Sequence, residues 1–162
     1  MSAPSPQASM VLVTGAAGFL GQGLLGALSQ SPSCELVIAV DVREIPDAQE
    51  HPGIIWVKQD VRDPALADTI ALHRIDTVVH LASIVTPGKD SNRAFEYSVD
   101  VGGTHNVLQA CIQHGVCHIV VSSSGAAHGY HADNAPRPTE DMPPPGHDSF
   151  PHPPHPRPAE ET

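Results

Sequence analysis

Between Thr14 and Gly21 the chain reads Thr-Gly-Ala-Ala-Gly-Phe-Leu-Gly, with a glycine at every third position. An apolar run, Val11 to Val13, precedes this segment and an amphipathic stretch follows it, so the pattern fits a strand that turns sharply into a helix. Gly15 permits the tight turn, Gly18 lets backbone approach an anion with no Cβ in the way, and Gly21 lets the helix pack closely on the strand. The ligand such a corner takes is a pyrophosphate, held by unpaired N–H groups and the positive end of the helix dipole without any basic side chain. Twenty residues beyond Gly21, at the end of Val37-Ile38-Ala39-Val40, lies Asp41. A carboxylate there accepts hydrogen bonds from both hydroxyls of an adenosine ribose and repels a 2′-phosphate, which favours NAD over NADP. Arg43 acts in the opposite sense, since a guanidinium can pair with that phosphate.

Positioning these groups requires strands and helices in alternation. Short runs rich in β-branched residues predict strands over Met10–Thr14, Glu35–Asp41, Ile54–Lys58, Thr77–Leu81 and His118–Ser122, each apolar enough for burial on both faces. Helices fill the gaps. One is expected from Gly18 to Gln30, with Leu20, Leu24, Ala27 and Leu28 on one face; a second starts at Pro64, with Leu66 and Ile70 one turn apart. The longest covers Ser91 to His114, with an apolar stripe of Phe95, Val99, Val107, Leu108 and Cys111 interrupted by Gly102-Gly103, a costly pair unless close packing or a ligand requires small residues. The fold class is therefore α/β, a doubly wound parallel sheet of the NAD(P)-binding Rossmann type.

Composition narrows the partners. The 162 residues suit one globular domain, and no apolar stretch approaches the roughly 20 residues a bilayer span needs. With no basic start before a hydrophobic signal segment, the expected compartment is the cytoplasm. Eight basic against eighteen acidic side chains give a formal charge of −10 with no Lys/Arg cluster, which argues against a nucleic-acid partner. Cys34, Cys111 and Cys117 lack metal-site spacing, so they read as reduced thiols and no metal site is expected. Ten of the seventeen prolines fall in residues 136–162, which are read as an unstructured Pro/His-rich tail; residues 1–9 are read as a flexible lead-in and 10–135 as the dinucleotide-binding domain.

Four segments resemble the extended short-chain dehydrogenase/reductase family, which contains NAD-dependent nucleotide-sugar epimerases and dehydratases and some sterol dehydrogenases. The family's Thr-Gly-x-x-Gly-x-x-Gly is complete at Thr14–Gly21. Asp60-Val61-Arg62-Asp63 resembles the turn that holds the adenine, and His80-Leu81-Ala82-Ser83 resembles the His-Leu-Ala-Ala strand end beside the cofactor. Ser98 to Leu108 resembles Asn-Val-x-Gly-Thr-x-Asn-Val-Leu on the long helix, with Asp100 where Asn is usual. The resemblance implies that Gly15, Ala17, Gly18, Phe19, Leu20, Gly21, Asp41, Asp60, Val61, Leu81, Ala82 and Ser83 line NAD, with Ser123 and Ser124 nearest the nicotinamide. It also implies a nucleotide-sugar or sterol carbinol as substrate.

Ser122 to Gly129 resembles the family's Ser-Ser-Ser-Ala-x-Val-Tyr-Gly, with His128 in place of the tyrosine. Ser124 aligns with the serine that bonds the substrate, leaving it the candidate catalytic residue. The proton-exchanging Tyr-x-x-x-Lys pair does not occur: the tyrosines are Tyr97 and Tyr130, the lysines Lys58 and Lys89. Asp148 to Glu161 resembles the stretch around that pair, with His152 where Tyr belongs and Pro156 where Lys belongs. Imidazole at His152 can move protons near neutral pH, but the surrounding prolines prevent the helix that would position it. Family members also continue into a C-terminal substrate region, so the chain is expected to be a truncated or catalytically impaired copy, with homodimer formation left open; the alternatives are a non-catalytic dinucleotide sensor and an inactive fragment.

Overall fold

A computed structural model describes residues 9–43, 53–84 and 92–124. The chain divides into two units, residues 1–122 and 123–162, and every strand and helix described belongs to the first. Five strands, β1 (Ser9–Thr14), β2 (Cys34–Asp41), β3 (Ile54–Lys58), β4 (Thr77–His80) and β5 (His118–Val121), form one parallel sheet in the order β3-β2-β1-β4-β5. The order reverses at β1, where the crossovers begin to run the other way, as in a doubly wound Rossmann sheet. The expected fold class and all five strands are thus present, with ends within one residue of the sequence reading.

Alternation along the strands divides the core into two layers. Leu12, Ile38, Val40 and Val78 face one side with Leu66 and Ile70 of α2 (Leu66–Leu72) and Val107, Ala110 and Cys111 of α4 (Thr104–His114). Val11, Val13, Val37 and Ala39 face the other, against Leu25 of α1 (Phe19–Leu28). Each fully buried Leu or Ile contributes about 1.5–3 kcal/mol relative to exposure. One row across the sheet, Ile55, Ile38, Leu12, Val78 and Ile119, is 42, 0, 0, 0 and 39% exposed. Burial on both faces is therefore a property of the central strands. β5 is exposed along its whole length and β3 in part, because both lie at the edges of the described sheet.

Two helix faces differ from the expected ones. In α1 the buried positions are Gly21 and Leu25, with Leu24 and Leu28 half-buried, while Leu20 and Ala27 are exposed. Gly21 lies against the turn, so the packed face is centred there and Leu20 rotates to the rim of the cleft described below. The long helix runs from Arg93 to His114 but is not uniform: α3 (Arg93–Tyr97) passes through a π-helical segment, Ser98–Gly103, into α4. The wider π turn shifts the phase of the helix. A stripe counted at 3.6 residues per turn therefore misplaces Phe95 and Leu108, which are 44 and 37% exposed, and omits Ala110, which is buried.

α2 begins at Leu66, two residues after Pro64. The bonds Leu66 N–H to Asp63 C=O, Ala67 N–H to Pro64 C=O and Asp68 N–H to Ala65 C=O span three residues each, so the helix is entered through a tight 3₁₀-like turn.

Candidate functional site

At the C-terminal end of the central strands a cleft of about 680 Å³ opens between the β1–α1 turn, the ends of β2 and β3 and the start of the long helix. Its position outside the switch of strand order is where open α/β sheets bind ligands. Gly15, Gly18, Phe19, Leu20, Gly21, Asp41, Asp60, Val61, Leu81, Ala82 and Ser83 lie on its wall.

The glycine turn has almost no spare space. A Cβ at Gly15, whose φ is +68°, would sit 2.7 Å from the backbone nitrogen of Ala82; one at Gly21 would sit 2.5 Å from the carbonyl oxygens of Gly15 and Ala16. α1 starts at this point with no side-chain cap and no acidic residue in its first turn. Among the described residues the N–H groups of Phe19, Leu20 and Gly21 have no hydrogen-bond acceptor. Open donors and the positive helix end coincide where the chain lacks side-chain bulk, so the corner can receive an anion.

Asp41 sits 7% exposed at the end of β2 and, among the described residues, accepts four hydrogen bonds. Ala17 N–H bonds Oδ2 at 3.0 Å, Arg43 N–H bonds Oδ1 at 3.0 Å, and the Arg43 side chain adds Nε to Oδ1 at 3.0 Å and Nη2 to Oδ2 at 3.1 Å. Burial pushes the Asp41 pKa up, but the bonds from Arg43 and Ala17 outweigh it and hold the carboxyl below its ordinary value. Ala17 itself is not on the cleft wall; its N–H supports Asp41 from behind.

The same tripeptide, Asp-Val-Arg, recurs after β3. Arg62 N–H bonds Asp60 Oδ1 at 2.9 Å and its side chain grips the carboxylate, with Nη2 to Oδ2 at 2.6 Å. Arg62 also donates from Nη1 to Ser98 Oγ at 3.0 Å and lies over the Phe95 ring at 5.0 Å. These bonds to Arg62 hold the Asp60 carboxyl below its ordinary value against the opposing effect of burial. Val61, between them, is buried against Gly103, and Asn106 Nδ2 fixes the turn by donating to the carbonyls of Val61 (2.8 Å) and Asp63 (2.9 Å). The costly glycine pair is thus resolved asymmetrically: a Cβ at Gly103 would lie 2.6 Å from Val61 Cγ2, whereas one at Gly102 would meet nothing within 4 Å.

Beneath the cleft a chain of hydrogen bonds joins β1, β4 and the long helix. His80, 2% exposed, bonds Thr14 Oγ1 through Nδ1 at 2.6 Å and Thr104 Oγ1 through Nε2 at 2.9 Å. Thr104 Oγ1 donates to the Asp100 carbonyl, so it must accept from Nε2–H; Nδ1 is then bare and accepts from Thr14 Oγ1–H. Thr14 Oγ1 in turn accepts from the N–H groups of Leu81 and Ala82, which fixes the strand end on the cleft wall. Desolvation lowers the His80 pKa, with Asp100 acting weakly in the other direction. Asp100 Oδ1 also accepts Ile84 N–H at 2.9 Å, an acceptor role that the usual Asn amide oxygen could equally fill.

The sequence reading did not place Phe95, Val99, Ile84, Gln59 or Val42 at the site, yet all line the cleft. Val99 keeps its place in the apolar stripe, packed half-buried against the core while also edging the cleft, whereas Phe95 is turned outward, and no local signal marks the π-helical turn that sets its phase. Ser123 and Ser124 fall in the second unit and are exposed; His152 lies outside the described residues. Among the described residues no group of His, Cys, Asp or Glu could hold a metal ion, and no helix is long and apolar enough to cross a membrane.

Comparison with known proteins gives a consistent picture. Residues 12–154 match the model of the 3-beta hydroxysteroid dehydrogenase/isomerase family. The UDP-glucose 4-epimerase of Halalkalibacterium halodurans is 37% identical over 74% of this chain and 36% of its own length. The human protein described as inactive L-threonine 3-dehydrogenase, mitochondrial, is 31% identical over 72% of this chain and 50% of its own. The chain therefore spans about a third to a half of these relatives. The NAD complex of Thermus thermophilus UDP-glucose 4-epimerase superposes with a TM-score of 0.69 at 29% identity, covering 83% of this chain and 44% of that one. Together with the glycine corner, the strand-end carboxylate and the doubly wound sheet, these matches show that the chain belongs to the 3-beta hydroxysteroid dehydrogenase/isomerase family, alongside the NAD-dependent epimerases and dehydratases.

Proposed function

We propose that this chain is an NAD-binding domain of the epimerase/dehydratase type, ancestrally acting on a nucleotide sugar or a related sterol carbinol and impaired in turnover on its own. The observation that carries the reading is the uncapped start of α1 lying in a turn where Cβ atoms added at Gly15 and Gly21 would strike backbone at 2.5–2.9 Å. The residues fit the dinucleotide. The N–H groups of Phe19, Leu20 and Gly21 would hold the pyrophosphate, Asp41 the ribose of the adenosine, and Asp60, Val61, Phe95 and Val99 the adenine. Leu81, Ala82 and Ser83 would follow the cofactor toward the nicotinamide, and the family resemblance assigns Ser123 and Ser124 to that end of the cofactor as well. Bound NAD would supply hydride acceptance and return.

Among this chain's own residues, Ser124 is offered as the group that bonds the substrate oxygen. The sequence contains no Tyr-x-x-x-Lys pair, and His152 among prolines is a poor substitute for an acid/base held in place, because geometry precedes pKa in general acid catalysis. The domain reading, 1–9 as lead-in, 10–135 as the NAD-binding domain and 136–162 as tail, is part of the same proposal. Calorimetric titration with NAD tests it on wild type and Asp41→Asn. Saturable binding that the substitution weakens about tenfold is expected from loss of a charge-assisted ribose contact. Absence of binding to wild type would refute the proposal. Direct chromatographic analysis of UDP-sugars incubated with the NAD-loaded chain, which registers epimerised or dehydrated product even though the hydride is returned, should show no conversion, and conversion would refute the impaired part.

A further inference from the structure

β5 closes the described sheet on one side, and its sequence does nothing to block that edge. Strand edges are usually blunted by Lys, Pro or a bulge. β3, at the other edge, ends in Lys58, whereas His118-Ile119-Val120-Val121 contains no Lys, Arg, Asp, Glu or Pro and runs in unbroken register against β4. Ile119, Val120 and Val121 are 39, 56 and 43% exposed, and none belongs to either core layer. The apolar surface continues onto α4. Asn106 reaches the β3–α2 turn, so Leu108, about 200° further round the helix, and Ile112, one turn beyond it, lie on the opposite flank, toward β5. Leu108 and Ile112 are 37 and 75% exposed. Residues 122–162 contain no Val, Ile or Leu. The sequence after β5 therefore offers no further run of the kind that builds every described strand, and this side must be covered from outside the chain.

The free edge is complementary to itself. His118 N–H bonds the Asp76 carbonyl and Ser122 N–H the His80 carbonyl, both toward β4. Backbone polar groups alternate between the two neighbours of a strand, so Ile119 and Val121 turn their N–H and C=O groups outward. A two-fold axis through Val120, perpendicular to the sheet, sets Ile119 opposite Val121 of the second copy, and each such pair exchanges both of its hydrogen bonds. Val120 then faces its own counterpart and His118 faces Ser122, so no like charges meet, and a one-residue slip would set core-side positions against the opposite face. We infer that β5 is a docking edge for a second copy of this chain, pairing antiparallel about Val120 into one sheet that runs through both copies, with Leu108 and Ile112 flanking the junction. The contact is isologous and closes at a dimer. A four-residue edge with one helix flank is small for a specific interface, so the association is weak.

Sedimentation velocity on the full chain, as wild type, Val120→Lys and Val120→Cys, tests the edge. Wild type should pass from monomer to dimer with a dissociation constant of about 1–100 µM. Val120→Lys sets two ammonium groups directly opposite each other and should raise that constant at least about tenfold. Its circular dichroism should match wild type, because Val120 supports neither core layer. Val120→Cys should form a covalent dimer under mild oxidation, since facing residues of such a pair have Cβ atoms about 4.5–5.5 Å apart. Wild type is the control: its exposed Cys117 lies three residues from the axis, about 20 Å from its counterpart, and should not cross-link. A wild type that stays monomeric to about 200 µM overturns the inference, as does a dimer indifferent to Val120→Lys or an oligomer that grows beyond two. Wild type cross-linking as readily as Val120→Cys would place the contact elsewhere and overturn it too. If Val120→Lys fails to fold, the cross-linking comparison decides alone.

Discussion

Gly102 and Gly103 are adjacent, and alanine at each should change stability in opposite directions. At Gly103 the new methyl must gain about 0.8 Å to reach ordinary contact distance from Val61 Cγ2, which starts 2.6 Å away. Val61 cannot simply retreat: it is 5% exposed, and its carbonyl is held by Asn106 Nδ2 at 2.8 Å. Overpacking of this kind costs about 1–3 kcal/mol, offset by about 0.5–1 kcal/mol of helix propensity gained over glycine. Gly103→Ala should therefore lose up to about 2.5 kcal/mol, and about 1 kcal/mol at the middle of these ranges. Gly102→Ala meets nothing within 4 Å on a backbone without positive φ, and should gain about 0.5–1 kcal/mol from propensity alone. Urea unfolding followed by far-UV circular dichroism reads both, with midpoints moving to either side of wild type. Equal losses at the two positions, or a Gly103→Ala midpoint at or above wild type, would mean that the Val61 contact does not explain this glycine.

Three further predictions follow from the same geometry. Gly21→Ala places a methyl 2.5 Å from two backbone carbonyl oxygens that no rotamer can move, so it should cost about 3 kcal/mol by urea unfolding and abolish NAD binding by calorimetry. Arg74, the C′ residue of α2, has φ +51° and closes the helix with Arg74 N–H to Ala71 C=O and Ile75 N–H to Ile70 C=O; α4 closes in the same way with Gly115 at φ +66°. Arg74→Gly should accordingly stabilise by about 0.5–1 kcal/mol, a gain visible as a higher melting temperature. His80 is neutral in the fold and its pKa is lowered below the unfolded value of about 6.5, so its contribution is complete above that pH and declines as pH falls toward the folded pKa. Chemical unfolding between pH 7.5 and 5 should show this loss in wild type and a shallower one in His80→Gln; parallel curves would contradict it.

The strands were legible because a parallel sheet covered on both faces demands uninterrupted apolar runs, and Val37 to Val40 or Leu12 to Val13 can serve no other purpose. The glycine corner was legible for a similar reason, since Gly15 and Gly21 face backbone atoms that allow no side chain. What escaped was whatever depends on context beyond the immediate chain. Nothing in His118 to Val121 distinguishes an edge strand from a central one, and nothing near Ser98 announces a π turn, so the exposure of β5 and the rotation of Phe95 into the cleft were both missed. Asp41 and Arg43 were each noted as sequence features with opposing coenzyme preferences. Their mutual engagement is a matter of side-chain geometry that spacing alone does not reveal.

The string of hydroxyls and imidazole beneath the cleft has one polarity, because each oxygen along it is already committed in one direction. Reversing it would require Thr14, His80 and Thr104 to exchange roles together. The ring proton on Nε2 is therefore caged, sheltered from solvent exchange, and should give a sharp downfield imidazole resonance in a proton spectrum at neutral pH. That single line would report the integrity of the junction between two strand ends and the long helix, without any added ligand.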